Sequence, residues 1–367
     1  MITIHADVIG SLLRPPELLA AQKQLAAGTI TATEFKLIED RAVDDAIALQ
    51  ESVGLEIVTD GEMRRQSFQS QMTAAVRGFG EHDLDAFLWG EWYDEQGVKK
   101  TRRPRRLGAG GKLKRVRYLS ANEFSYLKSK TNRIPKVTLP SPSLWANFWS
   151  PKYSRDAYPT LDAFLTDIVN ILREEVAELV RLGATYIQID APHYGLLLDP
   201  KTRGFYERRG WSLDQWLSQG IELDNAIMAG FPGVTFGFHV CRGNQGSRWL
   251  AQGGYEAISR ALFNKLNAQR LLLEYDDPRS GSFEPLRDVP ENKFVVLGLI
   301  TTKRPQIEAI DLLRRRITEA SRYVPLERLG LSTQCGFASS IIGNNISGKD
   351  QRRKLALVVK TAQTVWG

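Results

Sequence analysis

Four residues carry side chains that bind transition metals, and their positions suggest that they act together. His239 and Cys241 lie two residues apart at the end of an apolar run, in the stretch GFHVCRGN. Alternate residues of a β-strand point to the same face, so these two side chains would lie next to each other. Cys335 is the only other cysteine. Glu274 lies in the apolar run LLLEY, where a carboxylate without a partner is costly to bury.

One imidazole, two thiolates and one carboxylate form a donor set that suits zinc. Calcium and magnesium prefer oxygen ligands, so the thiolates argue against them. The competing interpretation is that both cysteines fill the core, as buried cysteines often do, and that Glu274 is a satisfied acid. We predict a zinc ion bound by His239, Cys241, Glu274 and Cys335.

The same donor set indicates a type of chemistry. Two thiolates and a carboxylate would make the zinc electron-rich and therefore poorly suited to activating water. A substrate thiol bound to the ion would still lose its proton. The resulting thiolate could attack an alkyl carbon, with Glu274 the ligand most easily displaced. The donor set therefore favours alkylation of a thiol, and a zinc hydrolase is an alternative.

The elements that must position these residues follow from the hydrophobic pattern. Apolar runs rich in β-branched residues alternate with segments of helical period, which predicts repeated βα units. The predicted strands are Ala6–Ser11, Leu55–Asp60, Lys136–Pro140, Thr185–Asp190, Thr235–Val240, Arg270–Tyr275, Phe294–Ile300 and Leu329–Gln334. The predicted helices are Thr33–Val53, Leu161–Leu182, Leu213–Ala229, Tyr255–Asn267, Pro305–Tyr323 and Asp350–Val365. This order is that of a (β/α)8 TIM barrel. A doubly wound open sheet competes with it but lacks the glycine-rich fingerprint after its first strand.

In a TIM barrel the active site forms at the C-terminal ends of the strands. The chemically versatile residues of this chain collect at those ends. They are Ser11, Asp60, Glu62, Asp190, His193, Tyr194, His239, Cys241, Glu274, Lys303 and Cys335. The barrel would therefore bring the predicted metal ligands, and both cysteines, to one rim.

One segment does not fit a simple βα unit. Residues from about 84 to 133 are too many and too polar for a plain connection, so we interpret them as an insertion after the second strand. The insertion contains the basic stretch KKTRRPRRLGAGGKLKRVR, residues 99–117. We expect a hairpin or lid whose turn contains Gly108, Gly110 and Gly111. Nucleic-acid binding is the alternative, although no aromatic residue interrupts the charges. The GAGGK within it does not meet the pattern of a phosphate-binding loop.

Composition limits the class of protein. The chain has 367 residues, 43% hydrophobic and 25% charged, which suits one large α/β barrel over residues 1–367. We expect a cytoplasmic protein, because no signal peptide or membrane span is evident and two cysteines cannot form a disulfide framework. The net charge of +7 mildly favours anionic partners. A homo-oligomer is left open.

At these residues the sequence resembles the cobalamin-independent methionine synthase family, in particular its C-terminal catalytic barrel and its short single-barrel homologues. The motifs VIGSLLRPPELL, IVTDGEMRRQSF, YIQIDAPHYG, HVCRGN, LLLEYDD and STQCGF carry the resemblance over nearly the whole chain. The resemblance implies a catalytic zinc with the ligands His239, Cys241, Glu274 and Cys335. It also implies homocysteine contacts at Ser11, Glu62 and Asp190, with the two carboxylates holding the substrate ammonium group.

The chain departs from the long synthases in ways that concern the methyl donor. Those enzymes have DEP where this chain has Asp190-Ala191-Pro192. They also carry a histidine, taken to protonate the folate, where this chain has TTKRP and Lys303. We also expect the protein to lack the N-terminal half of the long enzymes. The donor could therefore be a folate, a corrinoid or another alkyl compound.

Other residues have weaker assignments. His193 could be a general acid or base, or a structural loop histidine. Arg14, Arg65, Arg242 and Lys303 could line the mouth and bind an anionic group, or be solvated charges. The aromatic stretch WANFWSPKY, residues 145–153, could wall the donor pocket or fill the core.

Together these features predict a zinc-dependent thiol alkyltransferase, most simply one that methylates homocysteine to methionine. Its catalytic residues would be Asp190, His193 and Lys303, and its substrate contacts Ser11, Glu62, Asp190 and Arg242. The same chemistry on a coenzyme M-type thiol, with an epoxide or a methylcorrinoid as donor, is one alternative. A non-catalytic binder of polyanions or nucleic acid is an alternative of another class.

Overall fold

The computed structural model describes residues 1–81, 90–102, 107–207 and 211–367. Its strands are β1 (Ile57–Val58), β2 (Val76–Gly80), β3 (Gly90–Tyr93), β4 (Lys99–Arg102), β5 (Gly108–Arg115), β6 (Ile134–Pro140), β7 (Tyr186–Asp190), β8 (Thr235–Val240), β9 (Arg270–Glu274), β10 (Phe294–Ile300) and β11 (Leu329–Thr333). Seven of them form one parallel sheet in the order β1-β6-β7-β8-β9-β10-β11. Each of the seven corresponds to a predicted strand, and the fold is α/β with a parallel sheet.

The first predicted strand, Ala6–Ser11, is the exception. In the described structure it forms a single parallel bridge, between Ala6 and Leu331. The Asp7 side chain accepts the neighbouring Val8 N–H at 2.8 Å, and such local bonds compete with a strand ladder. The segment nevertheless contacts both edges of the sheet. The Asp7 N–H donates to the Leu331 carbonyl, and the Leu12 N–H to the Gly61 carbonyl, both at 3.0 Å. A closed barrel requires a segment in this position.

The helices are α1 (Pro16–Ala26), α2 (Ala32–Ser52), α3 (Ser70–Ala75), α4 (Ala121–Lys130), α5 (Leu161–Arg181), α6 (Pro192–Leu196), α7 (Pro200–Glu207), α8 (Leu213–Gln215), α9 (Ile221–Met228), α10 (Ser259–Lys265), α11 (Ile310–Ala320) and α12 (Gly348–Trp366). Side-chain caps fix where the long ones begin: Thr31 before α2, Thr160 before α5 and Ser347 before α12. No helix in the described part of the chain combines the length and apolarity that crossing a membrane requires.

Three predicted helices differ from the structure. The helix predicted over Leu213–Ala229 is interrupted by a π-helical turn at Trp216–Gly220. The helix predicted from Tyr255 begins as a short 3₁₀ turn and becomes α-helical only at Ser259. The helix predicted from Pro305 begins at Ile310. Local turns of this kind do not change the hydrophobic period, so the sequence pattern did not reveal them.

The basic segment does not form the predicted turn. Gly108, Gly110 and Gly111 lie within β5, which pairs antiparallel with β2. A Cβ at Gly78 of β2 would lie only 2.7 Å from the Lys112 carbonyl oxygen, so the glycines permit close approach of the two strands. A separate hairpin joins β3 to β4 through residues 94–98. Residues 84–89 and 103–106 of the predicted insertion lie outside the described residues.

A fully buried ionic cluster joins β6, β7 and β9 to Asp7, near the N-terminal ends of these strands. The Lys136 ammonium lies 2.8 Å from the Asp7 carboxylate and also donates to Gln188 at 2.9 Å. The other Asp7 oxygen accepts from Arg270 at 3.0 Å and from the Tyr186 hydroxyl at 2.7 Å. Every charge in the cluster is paired, which is the condition under which buried charges are tolerated.

We expect Lys136→Met to lower the free energy of unfolding by about 3–5 kcal/mol, because it leaves Asp7 undercompensated in the interior. Denaturant unfolding followed by circular dichroism measures the change. Lys130→Met removes an exposed lysine paired with Asp44 and is the matched control, with little expected effect. Equal stability of the two variants would contradict a structural role for the cluster.

Candidate active site

A cavity of about 980 Å³ opens at the C-terminal ends of the parallel strands. Six of the predicted site residues line it: Ser11, Glu62, Asp190, His239, Cys241 and Cys335. They come from five separate stretches of the chain, brought together because parallel strands end at the same edge. The wall also contains many neutral polar side chains, among them Gln66, Gln69 and Gln245.

Three of these residues form a group that could hold a metal ion. The ligand atoms of His239, Cys241 and Cys335 all lie within 4.8 Å of one another, and all three residues are buried. The His239 Nδ1 lies 3.2 Å from the Leu272 carbonyl oxygen, so an N–H there would leave Nε2 as the acceptor. Nε2 is buried and has no hydrogen-bond partner among the described residues. A free imidazole nitrogen beside two thiols fits zinc.

The two thiols differ in their electrostatics. The Cys241 thiol lies beside Cys335, and this contact together with burial raises the pKa of Cys241 well above its usual value. The same contact and the nearby His239 imidazole lower the pKa of Cys335 well below its usual value. The Ser339 hydroxyl lies 3.7 Å from the Cys335 sulphur. The arrangement stabilises a thiolate at Cys335, the form in which cysteine binds metals.

Glu274, the fourth predicted ligand, lies outside this group of three in the described structure, and its role as a metal ligand stays a prediction. One carboxylate oxygen accepts from Arg279 at 2.7 Å and lies 3.5 Å from the Lys303 ammonium. The other accepts the backbone N–H of Arg242 at 2.7 Å. Burial alone would raise the pKa of Glu274, but the nearby cations Lys303, Arg279 and Arg242 outweigh it and lower the pKa to about 2.

Glu62 and Asp190 supply carboxylates to the cavity. One Glu62 oxygen accepts from Thr138 at 2.8 Å, while the other is buried without a hydrogen-bond partner in the described structure. Glu62 also has a φ of 55°, a strained conformation for a residue other than glycine that is common at functional sites. Burial raises the pKa of Asp190 to about 7; His239 opposes this shift and Glu62 adds to it. Both side chains would gain from a cation bound in the cavity.

Besides Glu274, three other predicted site residues are not on the cavity wall. The Arg242 guanidinium is fully buried and donates to the Gly253 carbonyl at 2.6 Å and to the Tyr255 hydroxyl at 3.1 Å. It therefore holds a neighbouring loop and is not at the mouth, where we predicted an anion contact. Lys303 is also buried, and its charge is directed at Glu274. His193 is the third.

The His193 Nε2 lies 2.8 Å from the Ser143 hydroxyl, and burial lowers the pKa of the ring to about 3. The ring is therefore neutral at physiological pH. Arg14 and Arg65 are buried as well. Arg14 donates to the Ala338 carbonyl, and Arg65 pairs with Glu123 at 2.8 Å, so neither is the solvated or anion-binding charge considered from the sequence.

The comparisons with known proteins agree with this geometry. The sequence model of the family described as "Cobalamin-independent synthase, Catalytic domain" matches residues 4–364. The chain belongs to this family. A Bacillus subtilis relative, the uncharacterized protein YxjG, is 35% identical over 99% of this chain and 94% of its own length. The methionine synthase of Pyrococcus abyssi is 26% identical over 91% of this chain and 86% of its own length.

Among solved structures, a Listeria monocytogenes protein described as a vitamin-B12-independent methionine synthase matches with a TM-score of 0.72 and 25% identity. The match covers 99% of this chain and 98% of that one. The resemblance drawn from the sequence motifs is thus confirmed. The cobalamin-independent synthase family is one of methyltransferases, so the cavity is the candidate active site of a methyltransferase.

Gly195, in α6, ends one of the quoted motifs but was not predicted to be a site residue. A Cβ added there would lie 1.8 Å from the Cys241 carbonyl oxygen, so the helix packs directly against the backbone of a predicted ligand. The sequence gives one signal: the glycine follows Asp190 closely, in YIQIDAPHYG. Only the packing of α6 on β8 shows why it must be glycine.

We expect Gly195→Ala to displace Cys241, to lower the stability by about 1–3 kcal/mol and to weaken metal binding. Thermal unfolding and zinc titration against a chelator measure the two effects. Gly348→Ala is the control, because a Cβ there meets nothing within 4 Å and its φ is not positive. Wild-type zinc affinity in Gly195→Ala would contradict the prediction that displacing Cys241 weakens metal binding.

Proposed function

We propose that the chain is a zinc-dependent S-methyltransferase that converts homocysteine to methionine, with the whole chain forming one catalytic (β/α)8 barrel. The observation that carries this proposal is that one cavity contains both the thiol–imidazole group and the two carboxylates. Homocysteine has a thiol for the first and an ammonium group for the second. The name of the Pyrococcus abyssi relative, a methionine synthase, supports the same reaction.

His239, Cys241 and Cys335 are the residues that would hold the zinc. When bound, zinc would lower the pKa of a substrate thiol so that the thiol is present as thiolate near neutral pH. The residues of the chain orient the substrate. The free Glu62 oxygen and the Asp190 carboxylate bind the ammonium group, and the Ser11 hydroxyl lies on the same wall for a further polar contact. These contacts would fix the position of the homocysteine sulphur relative to the methyl donor.

In the transfer itself, the homocysteine sulphur forms a bond to the methyl carbon as the bond from that carbon to the donor breaks. The electron pair of the broken bond leaves with the donor, which takes up a proton. Neither His193 nor Lys303 lines the cavity, so we no longer assign that proton to either of them. The neutral amides of the wall suit a polar donor such as a methylated pterin.

The cavity carboxylates Glu62 and Asp190 also help to choose between homocysteine and the alternative substrates. A coenzyme M-type thiol carries a sulfonate in place of an ammonium group, and Glu62 and Asp190 would repel it. A polyanion or nucleic-acid binder would have to use the basic segment, and residues 103–106 of it are outside the described part of the chain. Homocysteine is therefore the acceptor that the described side chains support best.

An activity matrix tests the proposal. Freshly purified protein is assayed for zinc and then offered homocysteine or coenzyme M with methyltetrahydrofolate, its polyglutamate form, methylcobalamin or an epoxide. We expect close to one zinc per chain and methionine formation from homocysteine with a methyl donor. A zinc-loaded protein that alkylates coenzyme M and leaves homocysteine unchanged would overturn the choice of acceptor. Protein that is active without bound metal would overturn the zinc chemistry.

A further inference from the structure

A second cavity, of about 470 Å³, shares no lining residue with the active-site cavity in the described part of the chain. Phe148, which ends the 3₁₀ turn Ser143–Phe148, lines the active-site cavity, whereas its neighbours Asn147 and Trp149 line the second one. The aromatic stretch at residues 145–153, for which the sequence left two interpretations, therefore contributes to both cavities. The volume of the second cavity is within the range of small-molecule sites.

Aromatic rings form much of the wall of the second cavity. Trp149, Tyr206, Trp211 and Trp216 all line it. The Trp211 and Trp216 rings meet edge to face, with centroids 4.4 Å apart and an angle of 65° between their planes. The Tyr206 ring meets that of Trp216 at 80°, with centroids 6.4 Å apart. Because aromatic pairs favour both stacked and edge-to-face contacts, rings at such angles suit a flat aromatic guest.

One polar group of this wall lacks a partner. The Trp216 indole N–H is buried and unpaired within the described structure, although a buried indole N–H usually finds an acceptor. Its ring is held in place, because it packs 5.2 Å from the His193 ring, and His193 is bonded to Ser143 at 2.8 Å. Trp216 also begins the π-helical turn Trp216–Gly220, a feature frequent at functional sites. A ligand with an acceptor atom would satisfy this donor, which is costly to leave unpaired.

The charge of the wall limits the class of ligand. None of the described lining residues is acidic or basic. A phosphate or carboxylate group would therefore lose its hydration without gaining a cation in return. A quaternary ammonium group could lie against the aromatic rings, but it cannot accept a hydrogen bond from the Trp216 N–H. A neutral aromatic ring that carries an acceptor meets both requirements.

We propose that this cavity is a second binding site, distinct from the active site, for a small neutral heteroaromatic compound. The compound stacks on the indole rings of Trp211 and Trp216 and accepts a hydrogen bond from the Trp216 N–H through a ring nitrogen or a carbonyl oxygen. The site does not depend on the proposed methyl transfer, since the zinc group and the substrate carboxylates are not among its lining residues.

Two matched probes, titrated into the purified protein and followed by NMR, test this inference. Benzimidazole and indole have the same two-ring shape and each has one ring N–H, but only benzimidazole has a ring nitrogen that accepts. We expect benzimidazole to bind once per chain and indole about fivefold more weakly, which corresponds to one hydrogen bond. Homocysteine should displace neither probe. Equal affinities, no binding of benzimidazole, or its displacement by homocysteine would overturn the inference.

Two variants locate the binding. Trp216→Phe keeps an aromatic ring and removes the N–H, so it should weaken benzimidazole about fivefold and leave indole nearly unchanged. Trp211→Leu removes a stacking surface and should weaken both probes by roughly fivefold or more. Circular dichroism checks that each variant is folded. A folded Trp216→Phe protein that still prefers benzimidazole, or a folded Trp211→Leu protein with wild-type affinities, would contradict the proposed contacts.

The control variant is Trp366→Phe, at the end of α12. Trp366 lines neither cavity, and its indole N–H donates to the Leu326 carbonyl at 2.9 Å. The control should change neither affinity, and a loss equal to that in Trp216→Phe would count against the site. Tetramethylammonium that binds more tightly than benzimidazole would assign the cavity to a cation and overturn the inference. Failure of the proposed function is distinguishable, because protein without zinc or methyl transfer would still bind benzimidazole here.

Discussion

Cys335→Ser should remove zinc binding and methyl transfer together while leaving the protein folded. The thiolate at Cys335 is the most stabilised of the candidate ligands, since Cys241 and His239 both lower its pKa. A serine hydroxyl does not ionise near neutral pH and is a poor zinc donor, so the loss should exceed the roughly 10–100-fold cost of removing an outer-shell partner. Metal content, chelator competition and the rate of methionine formation measure the effect.

The control variant for this prediction changes Ser339, whose hydroxyl lies beside the Cys335 sulphur. Ser339→Ala removes a hydroxyl 3.7 Å from the Cys335 sulphur and should lower zinc affinity far less than Cys335→Ser. Circular dichroism must show both variants folded. A Cys335→Ser protein with wild-type zinc content would mean that the ion binds without this thiol, and the proposed site would be wrong.

The fold was largely predictable because the sheet strands are buried on both faces. Such strands appear in the sequence as continuous apolar runs. The observed bounds of β8 and β10 are the same as the predicted ones. Helix starts were predictable where a capping residue marks them, as Thr160 does before α5. The segment between β1 and β6 was not, because its short antiparallel strands are half exposed and their pairing depends on glycine contacts such as that of Gly78.

Part of the candidate site was likewise predictable from the sequence, and part was not. His239, Cys241 and Cys335 could be found from the sequence because their chemistry and their strand-end positions coincide. Glu274 also ends a strand, yet its direction is set by Arg279, which belongs to a 3₁₀ turn and gave no signal in the strand pattern. Arg242 was placed at the mouth because charged side chains are usually exposed. Its burial depends on carbonyl groups of a loop that only the folded chain brings near.

Glu62→Gln should lower kcat/KM for homocysteine by roughly 30-fold or more, because losing one partner of a buried charge pair costs about 2–5 kcal/mol. The free Glu62 oxygen is the part of the carboxylate available to the substrate ammonium, since Thr138 already bonds the other oxygen. The change removes the charge and keeps the shape, so the metal group should retain its zinc. Steady-state kinetics with homocysteine as the varied substrate measure the loss.

A second thiol separates recognition of the ammonium group from general damage. The homocysteine analogue 4-mercaptobutyrate has the same chain and carboxylate and lacks the amino group, so the wild-type protein should methylate it slowly. Because this thiol cannot use Glu62, Glu62→Gln should leave its rate nearly unchanged, and the preference for homocysteine should collapse. Glu56→Gln, an exposed acid six residues earlier, should change neither rate. Equal losses for both thiols in Glu62→Gln would show that Glu62 shapes the cavity without binding the ammonium group, and the carboxylate argument for homocysteine would fail.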